Sequence, residues 1–375
     1  MTSPRTGTRG FALAVTVFAL VLIAALIAGV FFAARQEMRL GENQQSAQRA
    51  FDAAEAGLQV AVAQWNPGAD DDLAPGRSVE FAGQLPGGTG TFAGTVLRLN
   101  RRLFLIRSTG QDAGGLARRS LAGLVRLAPA PLAFGAALSV TGPLVVGGAS
   151  LIEGGDQRPA GWDCPPAGPA APGVLIRDVS ELSVLGCADT SCLRGDPPVR
   201  VVPGLGDSAA RAAENAAWAA LAAHATQVYE VEDGLVAGPR PWGAATTCDT
   251  SVRDNWGEPA VPPAVAGCSH DYPIIYARGD LRVAGGSGQG ILLVSGDLQV
   301  EGGFTFYGAV VVRGKLTVQG GGGRLIGGVK ASSVALLPSG AGSAEVAFSG
   351  CALSNALLSQ APATPLAGRS WAQLF

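Results

Sequence analysis

Two histidines stand in 375 residues, His224 and His270, and the second is flanked by Ser269 and Asp271. These are the residue types of a nucleophilic relay, in which a carboxylate orients the imidazole that deprotonates a hydroxyl. Such relays join residues distant in the chain, so three immediate neighbours do not read as one. His224 falls in an Ala-rich segment and reads as a packing or surface residue. Asp280 and Asp297 occupy one position of a short repeat and would stack about 5 Å apart if the repeats stack as strands. Clustered carboxylates carry out glycoside hydrolysis. The next repeat places Lys315 there, so the row reads as a polar corner relieved by a cation. Asp70-Asp71-Asp72 lacks the alternate ligand spacing of a calcium loop and reads as a solvated acidic loop. Cys187 and Cys192 with distant His270 lack the paired spacing of a zinc site. Gly320-Gly321-Gly322-Gly323 carries no Lys-Ser/Thr to make a phosphate cradle. The expectation is no catalytic, cofactor or metal set, and no enzyme.

The elements that hold these residues follow from the repeat. GDLRVAGG (279–286), GDLQVEGG (296–303) and GKLTVQGG (314–321) align at steps of 17 and 18 residues, and GPLVVGGA (142–149) is a distant upstream copy. Each later copy follows a short apolar run: IIYARG, ILLVSG and AVVVRG. Short units of β-branched strands with glycine corners predict a parallel β-solenoid, one unit per coil. Leu144, Leu281, Leu298 and Leu316 then belong to one stack. The coils resemble those of bactofilin-like polymer-forming domains over about four turns.

Between the copies, 158–271 reads as an insertion projecting from a coil corner. It is Pro-rich, has one helix at 207–228, and holds five of the six cysteines: Cys164, Cys187, Cys192, Cys248 and Cys268, with Cys351 outside. An even number beyond an apolar N-terminal segment favours disulfides. If all pair within the chain, one insertion cysteine must reach Cys351, and Cys268 is the choice nearest the return into the coils. Trp162, Trp242, Trp256, Phe304, Phe306 and Tyr307 are aromatics that either bind a surface or glycan at the rim or pack an irregular interior; packing is the simpler reading. Net charge is −2, and no basic cluster follows the N-terminal segment, which argues against a nucleic-acid partner.

Phe11 to Ala34 carries no charge, and as a helix would be about 36 Å long, enough to span a bilayer. The periodicity continues through Leu40, Ala47, Phe51, Ala54, Leu58, Val62 and Trp65, to a stop at Asn66-Pro67-Gly68. Strand signals follow at TFAGTVLRL, RLFLIRS and RSLAGLVRL, a meander whose apolar face needs this helix as partner.

Arg5 and Arg9, then Gly10-Phe11 and the apolar run at once, resemble a type IV prepilin leader. That resemblance implies cleavage by prepilin peptidase after Gly10 and methylation of Phe11. Gln48, Ala50-Phe51 and Ala53-Ala54-Glu55-Ala56-Gly57-Leu58 resemble the AFxAAEAGL segment of PilX-type minor pilins, which singles out Phe51, Ala54, Glu55, Gly57 and Leu58. Major pilins carry a glutamate at the fifth mature position; here it is Val15, which suits a tip or accessory subunit better than a shaft.

The expected architecture is α+β, mainly β. It has a leader (1–10), a transmembrane and amphipathic helix (11–65), a small antiparallel head (66–131), a solenoid (132–157 and 272–350), the insertion (158–271) and a tail (351–375). The resemblance implies a subunit of a type IV pilus or related secretion filament. It would sit in the bacterial inner membrane with a periplasmic head, and its partners would be prepilin peptidase, other pilin-like subunits and the assembly platform. A membrane-anchored envelope adhesin or scaffold outside any filament is the alternative.

Overall fold

A proline-free run, apolar as far as Ala34 and amphipathic beyond it, forms α1, the 55-residue helix Arg9–Ala63, about 82 Å long. The computed structural model describes residues 9–65, 73–129, 132–185, 187, 191–230, 234–244, 247–259, 267–366 and 371–374. The leader ahead of Arg9, the triple aspartate and the Asn66-Pro67-Gly68 stop lie outside the described residues. The chain divides into two compact units: Met1–Gln64, Ala74–Val125 and Pro365–Phe375 form one, and Trp65–Leu73 with Arg126–Thr364 the other.

In the first unit α1 lies against an antiparallel sheet. Strands β1 (Ser78–Gln84), β2 (Gly90–Arg98), β3 (Leu103–Asp112) and β4 (Arg118–Leu127) are neighbours in that order. The C-terminal strand Trp371–Leu374 pairs antiparallel with β4, Trp371 opposite Gly123. Strand β1 precedes the first strand signal read from the sequence, which begins at Thr91. The Leu-Pro-Gly-Gly turn after it dominates that stretch and hides SVEFAGQ, a seven-residue run whose burial alternates. Its Phe81 packs at 6.4 Å from Phe92 of β2.

The second unit is built from short strands in parallel register. β5 (Leu138–Val140), β6 (Leu144–Gly147) and β7 (Ser150–Glu153) follow one another at short intervals. β8 (Val174–Ile176), β9 (Leu182–Leu185) and β10 (Leu193–Arg194) lie on them one to one, with Val174 on Leu138, Leu182 on Leu144 and Leu193 on Ile152. β11 (Val199–Val201) then pairs with β8. Helix α2 (Ser208–Ala223) follows, capped by the Asp207 carboxylate accepting the Ala210 N–H at 2.8 Å. After it come β12 (Gln227–Tyr229), β13 (Leu235–Ala237) and the small antiparallel pair β14 (Gly243–Ala244) and β15 (Thr247–Cys248).

The repeat region supplies β16 (Ile274–Ala277), β17 (Leu281–Ala284), β18 (Ser287–Val294), β19 (Leu298–Glu301) and the extended run β20 (Phe304–Phe348). Straight, β20 would measure about 150 Å. It wraps instead: Thr305–Val312 pair with β18, Leu316–Val318 with β19, Val329–Ala331 with β5, Val334–Leu336 with β6, and Ala344–Ala347 with β7. The ladder Leu281–Leu298–Leu316 and the ladder Val334–Leu144–Leu182 carry the repeat leucines, and Leu144, Leu281, Leu298 and Leu316 share one buried core.

The insertion does not project with little sheet of its own. Its strands β8 to β11 extend one side of the strand order β11-β8-β5-β20-β18-β16-β12, and β12 and β13 extend the other. Helix α2, about 24 Å long, joins the two edge strands β11 and β12 across the stack. The reason is register: Leu182-x-Val184 matches the Leu-x-Val of the repeats and stacks on Leu144 and Val146.

The segment after residue 350 is likewise more than a tail. Helix α3 (Gly350–Leu358) packs Leu353 and Ala356 with Trp218 and Leu221 of α2 over Ile274, Ile291, Leu293 and Ala309. The opposite side chains of those strands, Ile275, Leu292 and Val310, face the main core. Burial on both faces explains why IIYA, ILLV and AVVV are continuously apolar while LRVA, LQVE and LTVQ alternate. A short strand, β21 (Ala363–Pro365), follows and is hydrogen-bonded to β4 in the antiparallel sheet.

Candidate functional site

The small residues of α1 are its contact with the sheet. Ala50, Ala53 and Ala54 are fully buried. Of the predicted motif, Ala54 and Gly57 are buried, Phe51 and Leu58 half-buried, and Glu55 is exposed. Gly57 faces Ser108 and Phe92, and any Cβ there would overlap the Ser108 hydroxyl. Opposite, Gly110 of β3 lies under the Ala50 carbonyl and the Ala54 N–H, with no room for a methyl. The helix therefore approaches the sheet at backbone distance, a geometry only glycine permits on both sides.

Asp112, at the end of β3, ties this contact to the next turn. The Ala117 N–H donates to Asp112 Oδ1 at 2.7 Å and holds the carboxyl below its ordinary range, and a hydrogen bond from Ser46 of α1 adds to that. Contact begins near Ser46; Leu40, expected on the buried face, is exposed.

Towards its N-terminus α1 is apolar on every side and, from Leu13 on, exposed among the described residues. Leu13 is 70% exposed, Phe18 65% and Phe31 69%. A segment of mean hydropathy 2.9 with none of its window buried is long and apolar enough to cross a membrane. Val15 lies within it. Gly10 and Phe11 are in the first turn of α1.

The carboxylates of the repeat are corner acceptors. Asp280 Oδ1 accepts the Asp297 N–H at 2.8 Å, and Asp297 Oδ1 accepts the Lys315 N–H at 2.7 Å. Each therefore joins its own repeat to the next. Gly296 and Gly314 must lack side chains because these carboxylates and the backbone beside them occupy the space a Cβ would take. The Gly-Asp pairing is thus one device, spread over two successive repeats.

Disulfides join Cys164 to Cys351, Cys187 to Cys192 and Cys248 to Cys268. The bridge to Cys351 starts from Cys164, not Cys268. Cys268 lies beside Cys248 because the loop holding both closes on Asn255, whose side chain donates to the Trp242 and Asp249 carbonyls. Asp271 lies in the same region, and burial pushes its carboxyl up to about 6.

The rim reading of the aromatics holds only in part. Trp256, Phe304 and Phe306 are fully buried and meet edge-on, Trp256 with Phe304 at 5.8 Å and with Phe306 at 6.3 Å. Trp256 Nε1 donates to the Tyr229 hydroxyl at 2.9 Å, and burial raises that phenol above its ordinary value. Trp162 and Tyr307 are half-buried against each other, and Trp242 is exposed beneath Arg240. His224 is the exposed C-cap of α2 rather than a mid-helix residue.

Sequence reading missed Ser108, Gly110 and Asp112 as the seat of α1. It also missed Arg211, Glu214, Asn215 and Trp218, whose i, i+3, i+4, i+7 spacing on α2 marks one helix face.

The chain matches no protein-family model and no curated protein sequence. Among solved structures, the competence-associated pilin ComZ from Thermus thermophilus is 13% identical, over 88% of this chain and 98% of that one, at a TM-score of 0.28. A likeness of that degree carries no argument about fold or function.

Proposed function

We propose that this chain is a PilX-type minor-pilin-like subunit with a structural or assembly role in a type IV pilus or related secretion filament. Its leader is cut after Gly10 by prepilin peptidase, Phe11 becomes the methylated N-terminus, and α1 anchors the protein once through the bacterial inner membrane. The head then lies in the periplasm, where it meets other pilin-like subunits and the assembly platform. Val15 lacks the carboxylate used between major subunits, which places the chain at a tip or as an accessory. The parallel coils form a short bactofilin-like β-solenoid that the anchor presents, and the protein is not an enzyme.

The observation that carries this reading is α1 itself. One continuous helix leaves an all-round apolar half uncovered and seats its other half on a sheet through Ala50, Ala53, Ala54 and Gly57. An uncovered apolar helix needs lipid or other helices as its solvent.

The test is mass spectrometry of the mature N-terminus. Methyl-Phe11 is expected. An intact Met1, or cleavage beyond Ala34, overturns the pilin reading in favour of an envelope scaffold that enters no filament.

A further inference from the structure

Within the antiparallel-sheet unit, three contacts fix how β3 runs along α1. Gly57 lies over Ser108, Ala50 and Ala54 over Gly110, and Ser46 bonds Asp112. Between the first contact and the last, β3 advances about 13 Å and α1 about 16 Å, in opposite chain directions. Strand β3 therefore runs down towards the uncovered apolar half of the helix.

At its end the chain turns through Ala113-Gly114-Gly115-Leu116-Ala117. The Gly115 N–H donates to the Asp112 carbonyl at 2.9 Å, and the Asp112 N–H to the Ala117 carbonyl at 3.3 Å. Such a turn carries the sheet about 7 Å further along α1. Its tip then comes level with Gly41, beside Leu40 and Met38, which are both exposed. At the tip stands Leu116, 83% exposed, more than any other large apolar side chain among the described residues. It adds nothing to a core, and a turn has no conformational need of leucine.

The apolar run from Phe11 to Ala34 is about 36 Å long as a helix, against a hydrocarbon layer of about 30 Å. A helix longer than the layer tilts, and its flanking anchors decide the direction. Along α1 the turn tip lies about 10 Å beyond Ala34, and the headgroup layer is about 5–8 Å deep. Leaning away from the sheet lifts the tip into water; leaning towards it lowers the tip among the headgroups. Charge suits that level. Arg118 follows the turn, is exposed, and makes no ion pair among the described residues. Arg35 and Arg39 flank Met38 on the helix, against Glu37 and Glu42. Long arginine side chains snorkel to lipid phosphates and are drawn to anionic leaflets.

We propose that the turn 113–117 is a second membrane contact, in which Leu116 enters the headgroup layer of an anionic phospholipid bilayer and Arg118 reaches its phosphates. The contact sets the direction in which α1 tilts. A soluble anion has no use for Leu116, whereas a lipid surface engages both side chains. The proposal rests on α1 crossing the bilayer, but not on cleavage after Gly10 or entry into a filament.

The test places a nitroxide on the full chain with its three disulfides intact, in vesicles of phosphatidylethanolamine and phosphatidylglycerol. Label is attached through Val21→Cys, Leu116→Cys or Leu99→Cys, the last in the β2–β3 turn at the opposite end of the sheet. Relaxation by oxygen, which concentrates in lipid, and by a water-soluble nickel chelate reports depth. Val21 should be open to oxygen and closed to nickel. Leu116 should lose nickel accessibility relative to Leu99. A label through Ala113→Cys should be shielded from nickel likewise. Adding Leu116→Asp and Arg118→Glu, both changes at exposed positions, should return that label to the accessibility of Leu99, with an unchanged melting curve. Val21 in lipid with Leu116 as open to nickel as Leu99 overturns the contact and leaves the anchor standing. Val21 open to nickel overturns the anchor and the contact together. Spin–spin broadening at Leu116 that vanishes on dilution with unlabelled protein means that a second copy covers the turn, and overturns lipid as its occupant.

Discussion

Gly57 of α1 stands directly over the Ser108 hydroxyl of β3, which is fully buried and has no hydrogen-bond partner among the described residues. A methyl at Gly57 would overlap that oxygen and lie 3.0 Å from Phe92 Cδ2. Gly57→Ala should therefore cost about 1–3 kcal/mol by overpacking, despite the intrinsic helix gain of about 1 kcal/mol. Ser108→Ala removes an unpaired buried hydroxyl and should be neutral or stabilising. The double variant should regain part of the loss, measured by urea unfolding. Equal cost with and without Ser108 would show that the overlap is not what Gly57 prevents.

Gly110 presents a harder case. Its neighbours are backbone atoms of Ala50, Ala53 and Ala54, which cannot rotate away. Gly110→Ala should cost more than Gly57→Ala, with no rescue from substitutions on the helix. The expected signature is faster hydrogen exchange in residues 46–63 and in β3, while the parallel-sheet unit stays protected.

The corner aspartates separate two effects. Asp297→Ala leaves the Lys315 N–H without its acceptor and should cost about 1–2 kcal/mol at this partly solvated corner. Gly296→Ala meets both the Asp280 carboxylate and its backbone N–H, the latter at 2.7 Å. Removing the carboxylate with Asp280→Ala should then fail to rescue Gly296→Ala. Rescue would mean that the side chain alone dictates the glycine.

Repetition decided what the sequence could reveal. Three gapless copies place Leu281, Leu298 and Leu316 on one ladder, because the spacing itself is the register. Val174–Ile176 and Val199–Val201 are three-residue strands without that frame, so nothing local separates them from loop. Only Leu182-x-Val184 carried the repeat signature. The helix motif was legible as a pattern of small residues, but its meaning lies in Gly110 and Ser108, some 50 residues later in the chain. Trp218 and Arg313 come together only because α2 lies across the strands, and no spacing in sequence encodes that crossing.

The Cys164–Cys351 bridge closes the longest loop of the three, with a sequence separation of 187. It fastens the start of the inserted segment to α3, beside the Gly350 N–H that Asp156 Oδ1 accepts at 2.8 Å. In the chain-entropy account its removal costs about 5 kcal/mol, an upper figure since measured losses are often smaller. The pair Cys164→Ser and Cys351→Ser should lower the urea midpoint more than the pair Cys187→Ser and Cys192→Ser, whose separation is 5. Non-reducing peptide mapping should recover the same three pairs; a Cys268–Cys351 peptide would contradict the fold around Asn255.

Asp271 gives the parallel-sheet unit a pH dependence of definite sign. Its carboxyl is raised from 3.8 to about 6, and the cause is burial. The folded state therefore holds a proton that the unfolded chain has released between those two values. Wherever the native state binds more protons, stability falls as pH rises. The contribution of this group is thus fully present below about pH 4, declines through pH 6 and is absent above it. The full shift corresponds to roughly 3 kcal/mol, with about 1–3 kcal/mol expected after relaxation around the ionised group. Asp271→Asn keeps the backbone carbonyl that accepts from Gln289 Nε2 at 2.8 Å and cannot ionise. Its urea midpoint should match the parent protein near pH 4 and exceed it at pH 8. Parallel curves across that range would mean that Asp271 is solvated well enough to ionise normally.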